Sequence, residues 1–355
     1  MRPLSHSSIS LYLQCPLKYK FQYIEGLKEK PRSYLSFGSS MHEALEYFFG
    51  DKFFTPPSLE DVLGHYEKNW INEGYATAEE QEKYFEDGKR ILSDFYKKHA
   101  DPYTRPLAVE YQLLFDVNGV KVRGYVDRID KIDDKTVEII DYKTSKNPYS
   151  LADLKEEPQL TMYQLGIEML LGLRVERLTY YHLLSQTPFT VPRHDDKQVE
   201  QLKERIVDVA KRIENGEFPY KENRFCPCDF GDMCPLFKHE KIKEEKAAKG
   251  EKSEDIDIAC IADEYGRLKE ETKDLGARAD SLQEDLRSYM EKSGLERVFG
   301  DKFIVTKSMT VTERLDTAMA KELLEKAGLL SNAMSRSEQT RITLRRKKEG
   351  KEDMA

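Results

Sequence analysis

Gly124-Tyr125-Val126-Asp127-Arg128-Ile129-Asp130, followed closely by Val137-Glu138-Ile139-Ile140-Asp141-Tyr142-Lys143, carries the information that sets the fold. Residues 107–143 are rich in Val, Ile, Tyr and Phe and are broken at Asn118-Gly119 and at Asp133-Asp134, which predicts three antiparallel strands in a meander. A two-residue turn at Asn118-Gly119 pairs Val117 with Val120, and counting back along both strands sets Glu110 opposite Asp127. Like charges directly opposed in a sheet cost roughly 0.2–1 kcal/mol, and more when buried, so this register calls for a compensating divalent cation. The second hairpin brings Asp127 within about one position of Asp141. With a strand period of two, Asp141 and Lys143 leave the same face on either side of Tyr142.

Any one of these residues alone reads as a surface charge at a strand end. Three acids and an amine at one point read as a hydrolytic site. The acids hold Mg²⁺ or Mn²⁺, which polarises a phosphoryl oxygen and activates water, and the ammonium orients that water or offsets charge in the transition state. Gln159 and Tyr163, four apart on a following helix, share a face that can pack over the end of the Asp141 strand.

Upstream, the pattern is helical: a short helix from Ser7, a helix over Gly38 to Phe49, and 3- and 4-residue apolar spacings over Leu59 to Trp70 and Glu79 to His99. Downstream, Glu157 to Leu171 is expected as an amphipathic helix, Arg177 to Leu184 as a strand and Asp196 to Asn215 as a helix. The fold class is therefore α/β, a central mixed sheet flanked by helices.

Lys238 to Asp255 is almost wholly Lys, Glu, Ala, Gly and Ser, the composition of a solvated linker or helix extension rather than core. Beyond it Ile261, Tyr265, Leu268, Thr272, Leu275, Ala279, Leu282, Leu286 and Tyr289 recur in alternating steps of four and three, as in a coiled-coil seam. This helix could pack within the chain, across a dimer or on a partner protein. Gly294 ends it. Short strands are expected at Arg297 to Lys307 and Arg341 to Arg345, with a helix over Ala318 to Ala327 between them. The domain plan is 1–240 for the sheet domain with its cysteines, 241–257 a charged linker, 258–293 the heptad helix, 294–348 a small α+β accessory region and 349–355 a tail.

The 355 residues carry 57 basic and 65 acidic side chains, a formal charge of -8, so any nucleic-acid contact must be a local patch. The run Arg341-Ile342-Thr343-Leu344-Arg345-Arg346-Lys347-Lys348 could contact phosphates. A 39% hydrophobic content excludes wholesale disorder, and no apolar run approaches the ~18 residues of a membrane span. The chain is expected to be cytoplasmic, with no membrane partner.

Together, Gly124 to Asp130, Ile139-Ile140-Asp141-Tyr142-Lys143-Thr144 and Gln159 with Tyr163 resemble the PD-(D/E)XK nuclease superfamily in its RecB-like and AddB-like branch. The N-terminal Ser7-Ser8-Ile9-Ser10-Leu11, Cys15-Pro16 and Phe37-Gly38-x-x-x-His42 are similar to that branch's opening motifs. The resemblance covers roughly residues 5–238. It implies a restriction-endonuclease-like core, catalytic roles for Asp127, Asp141 and Lys143, metal ligation by His42 and contact of Gln159 and Tyr163 with the substrate strand. Glu110 joins the catalytic set through its register. The expected activity is that of a Mg²⁺- or Mn²⁺-dependent deoxyribonuclease, an exonuclease on single-stranded ends in repair or recombination, with a helicase or recombination protein as partner. The alternatives are a non-catalytic DNA-binding scaffold subunit and a nuclease of CRISPR spacer acquisition.

Cys226-Pro227-Cys228 and Cys234-Pro235 concentrate three of the five cysteines within nine residues, which points to a soft metal. Cys15, followed by Pro16, is the best fourth ligand. Iron-sulfur members of the branch have the same split of one N-terminal and three C-terminal cysteines, which implies a [4Fe-4S] cluster. The family usually separates the first two trailing cysteines by two residues, and the single Pro227 here leaves zinc, or a degenerate site without metal, open. Cys260 reads as an ordinary thiol on the heptad helix.

Overall fold

The computed structural model describes residues 2–50, 55–238, 258–309 and 317–329. The linker expected at 241–257, the strand and basic run within Arg341 to Lys348, and the tail at 349–355 lie outside the described residues. The chain forms two compact units, Met1–Gly250 and Glu251–Ala355.

The first unit opens with α1 (His6–Gln14), started by a capping box in which Ser5 and Ser8 satisfy each other's backbone N–H groups. After α2 (Pro16–Tyr19) and one π-turn (Lys20–Ile24) come α3 (Ser33–Phe49), α4 (Leu59–Lys68) and α5 (Ala78–His99). The meander follows as β1 (Ala108–Val117), β2 (Val120–Lys131) and β3 (Thr136–Lys143). Then come α6 (Leu151–Leu154), α7 (Pro158–Leu171), β4 (Arg174–His182), β5 (Thr187–Pro192) and α8 (Asp196–Glu214). The sheet order is β1-β2-β3-β4-β5, antiparallel except where β4 runs parallel to β3.

Several elements differ from expectation: α3 starts at Ser33 and not at Gly38, and a hairpin stands where one strand is expected at Arg297 to Lys307. β4 begins at Arg174 and ends at His182, displaced from the expected Arg177 to Leu184. β5 has no counterpart among the expected strands: Pro188 and Pro192 hide its signal, and both are tolerated because it is an edge strand. α7 is not amphipathic, because every residue from Leu160 to Ile167 is buried, Thr161 and Gln164 included. Gly166 lets it press on the sheet, since a Cβ there would lie 2.8 Å from the Phe115 ring.

Two apolar layers sandwich the sheet. Leu113, Phe115, Val117 and Ile139 pack with α1, α7 and α8 through residues such as Tyr12, Ile167 and Ile206. Ile140, Tyr142 and Tyr181 pack on the other face against Met41, Phe48 and Phe95 of α3 and α5. Each such fully buried side chain contributes about 1.5–3 kcal/mol.

The second unit contains α9 (Ile258–Ser293), the hairpin β6 (Arg297–Phe299) with β7 (Ile304–Thr306), and α10 (Thr317–Lys326). Gly294, at φ +63°, ends α9 while the Leu295 N–H returns to the Met290 carbonyl at 2.9 Å. No described helix is long and apolar enough to cross a membrane.

Candidate active site

The turn at Asn118-Gly119 pairs Val117 with Val120, and the same register holds on both sides of Glu110 and Asp127 through Val109–Arg128 and Tyr111–Val126. Glu110 itself leaves the ladder with φ +45°. A non-glycine residue held there costs about 1–3 kcal/mol and persists only when its surroundings impose it. Side-chain alternation slips at this point. Tyr111, Leu113 and Phe115 belong to the α7 layer, whereas Val109 packs in the α3 layer. On β2, Val122 and Val126 lie in the α7 layer, and so does Ile129. The kink re-aims both carboxylates where the two strands change phase.

α3 supplies a nitrogen donor to the same place. His42 Nε2 lies 3.1 Å from the Tyr142 carbonyl, which can only accept, so Nε2 carries a proton and Nδ1 faces Asp127 Oδ2 at 3.4 Å. Ligand atoms of His42, Glu110 and Asp127 all lie within 4.8 Å of one another. Asp127 Oδ2 also accepts the Tyr142 N–H at 2.7 Å, which ties it to β3. Asp141 is buried next to this group, its Oδ2 in ion-pair contact with Lys143 Nζ at 2.7 Å.

Gln159, in the first turn of α7, orders the remaining groups. Its Oε1 accepts from Lys143 Nζ at 3.1 Å and from Tyr180 OH at 3.2 Å. Its Nε2 donates to Asp141 Oδ1 at 3.1 Å and to Tyr163 OH at 2.8 Å. The amide orientation is thereby determined by its four partners.

The charges are in conflict. Burial, reinforced by Asp127, pushes the Glu110 carboxyl up to about 7, with His42 opposing. Burial also raises Asp141 against the pull of Lys143. Burial alone would lower His42, but Asp127, then Asp141 and Glu110, hold it at about 9. The donor set, one imidazole and hard carboxylate oxygens around one point, fits a divalent cation that would replace the His42 Nδ1 proton and relieve this repulsion.

These groups line an open cleft of about 600 Å³, with Tyr34 and Leu35 exposed on its α3 wall and Tyr149 on the opposite loop. The structure thus brings His42, Glu110, Asp127, Asp141, Lys143, Gln159 and Tyr163 into one place. Sequence reasoning missed Tyr180, whose buried ring lies 4.3 Å from the Lys143 ammonium. Tyr180 pairs with Asp141 across the parallel β3–β4 ladder, and no local turn encodes such a register. It also missed Glu46, one helical turn beyond His42 on the cleft wall. The i, i+4 spacing from His42 was the available signal.

The cysteines gather elsewhere. Tyr12 OH donates to the Glu217 carbonyl at 2.6 Å and Lys221 Nζ to the Leu13 carbonyl at 2.9 Å, which draws the end of α1 to the loop after α8. Cys15, Cys226, Cys228 and Cys234 line one small pocket of about 30 Å³. Burial pushes the Cys228 thiol up. Four convergent thiols fit a soft metal. Cys260 is exposed on α9.

Several known proteins are similar to this chain. Gene 69 protein of Mycobacterium phage D29 is 24% identical over 271 residues, covering 66% of this chain and 97% of its own length. In Streptococcus uberis, one of the subunits of the ATP-dependent helicase/deoxyribonuclease is 28% identical over 159 residues, 42% of this chain but 14% of that much longer protein. A crystal structure of a protein from Eubacterium rectale, provisionally called an exonuclease, aligns over 73% of this chain and 92% of its own at 14% identity and a TM-score of 0.40. The family model of the PD-(D/E)XK nuclease superfamily matches residues 3–235, the span that contains both the kinked carboxylate site and the four clustered cysteines, and the chain belongs to that superfamily.

Proposed function

We propose that the protein is a divalent-metal-dependent deoxyribonuclease that trims single-stranded DNA ends as an exonuclease, in repair or recombination. The observation that carries this reading is the approach of His42, Glu110 and Asp127 within 4.8 Å beside the Asp141–Lys143 pair. Together with Asp141 they would hold Mg²⁺ or Mn²⁺. When bound, such an ion polarises the scissile phosphate and makes water a stronger nucleophile at neutral pH. Lys143, anchored by Asp141 and Gln159, directs its ammonium at the attacked phosphate and offsets developing negative charge. Gln159 and Tyr163 position the strand. Exposed Tyr34 and Leu35 offer unpaired bases a surface to stack on, which supports single-stranded substrate.

The thiol pocket is read as a [4Fe-4S] site, with zinc as the alternative. The name of the streptococcal relative couples a helicase to a deoxyribonuclease, and a helicase partner belongs to the same reading.

The test is digestion of end-labelled single-stranded DNA with Mg²⁺ and with EDTA, for the wild type and for Asp141→Asn and Lys143→Ala. The reading expects metal-dependent shortening by the wild type and none by either variant, with DNA binding largely retained. Unchanged cleavage in either variant would remove the mechanism.

A further inference from the structure

α9 is 36 residues long, about 54 Å, and its seam is exposed at all but the half-buried Leu286. Leu268 is 47% exposed, Leu275 66% and Leu282 55%. A helix of this length with a continuous apolar stripe needs something against that stripe, all the more because Gly276 weakens its middle. A Cβ at Gly276 would meet nothing within 4 Å, so packing inside the chain does not require glycine there.

The seam has a strict seven-residue repeat. One set of positions is Ile261, Leu268, Leu275, Leu282 and Tyr289, the d set of a heptad; the other is Tyr265, Thr272, Ala279 and Leu286, the a set. A straight α-helix drifts about 20° per heptad against such a repeat, so the pattern stays on one face only if the helix supercoils around another. Leu-dominated d positions suit a two-stranded assembly.

Charge decides orientation. In a parallel, in-register pair, each flanking g position faces the e position five residues on in its partner. Glu264 then faces Lys269, an attraction formed twice, while Glu271 meets Gly276 and Arg278 meets Gln283; Met290, the last such e position, is buried within its own chain. No like charges meet. In a fully overlapped antiparallel pair Glu271 faces Arg278, but Glu264 faces Asp285, and the repulsion cancels the gain. Nine seam side chains along this length can supply the roughly 800 Å² per partner of a standard stable interface.

We propose that α9 pairs with α9 of a second copy of this chain in a parallel, in-register two-stranded coiled coil. The occupant is the same chain, and the contact is independent of the nuclease chemistry.

The full-length protein is measured by light scattering across a concentration series, and then as Leu275→Cys under mild oxidation. The expected results are twice the chain mass, and a disulfide-linked dimer, since d positions face each other only in the parallel register. Leu268→Asp with Leu275→Asp should give a monomer whose DNA cleavage persists, which separates loss of pairing from loss of folding. Glu264→Lys should weaken dimerisation by roughly fivefold, and adding Lys269→Glu should restore it. A monomer at all concentrations, a dimer that Leu275→Cys cannot link, or a dimer that survives the double aspartate change would overturn the proposal.

Discussion

The carboxylate cleft and the thiol pocket sit in the same compact unit but are built in opposite ways. The cleft is assembled from adjoining strands and two helices, and nearly every group in it is held by another: Asp127 by the Tyr142 N–H, Asp141 by Lys143, and both Asp141 and Lys143 by Gln159. The thiol pocket joins the chain near its beginning to a loop some two hundred residues later, through contacts such as Tyr12 with Glu217. A site that performs chemistry needs rigid aim, whereas a site that clips distant segments needs reach. Damage to the first should therefore abolish activity and spare the fold; damage to the second should do the reverse.

The strongest contrast should come from Lys143→Ala, which is expected to lower cleavage by roughly 10³-fold or more while the melting temperature moves little, measured by end-label digestion beside calorimetry. Cys15→Ser should lose the clip instead. By analogy with other long-loop cross-links it should cost about 3 kcal/mol, or roughly 10 °C in Tm, with cleavage per folded molecule retained. A Cys15→Ser protein that melts like the wild type would show that the pocket does not fasten the fold.

Within the cleft, Tyr180 tests how far aim depends on support from below. Tyr180→Phe keeps the ring beside Lys143 but loses the hydroxyl to Gln159, and is expected to retain most activity. Tyr180→Leu loses both contacts and should lower kcat by about tenfold with KM nearly unchanged. Equal activity in the two variants would deny the ring a positioning role.

A weaker effect is expected in the α3–α5 layer, away from both sites. Burial, with Arg128 and Lys98 nearby, holds His99 down at about 4, and its ring stacks on Phe95 at 4.2 Å. A base whose folded pKa lies below its ordinary 6.5 gives stability that is complete above 6.5 and is lost as pH falls toward 4. Urea midpoints between pH 7 and 4.5 should fall less steeply in His99→Gln than in the wild type.

Much of the cleft is legible in the sequence because its parts are local or follow simple periods. Asn118-Gly119 determines the hairpin register, and a period of two puts Asp141 and Lys143 together. The kink at Glu110 is not legible, because an unusual φ leaves no mark on residue type when the surroundings impose it. Tyr180 is hidden because a parallel crossover has no turn to count from. The residues of α7 suggest an amphipathic helix although both of its sides are covered, and its polar Gln164 is satisfied internally by the His194 backbone at 2.8 and 3.0 Å. β5 is masked by its two prolines.

The proposed chemistry of the cleft requires an imidazole and carboxylates to converge on one hard cation. Pulsed electron paramagnetic resonance of Mn²⁺ added to the metal-free protein reads that coordination itself. One bound Mn²⁺ per chain is expected, with a coupled imidazole nitrogen that disappears in His42→Ala. A bound Mn²⁺ signal lacking that nitrogen, or no bound ion at all, would refute the convergence of these ligands on one metal.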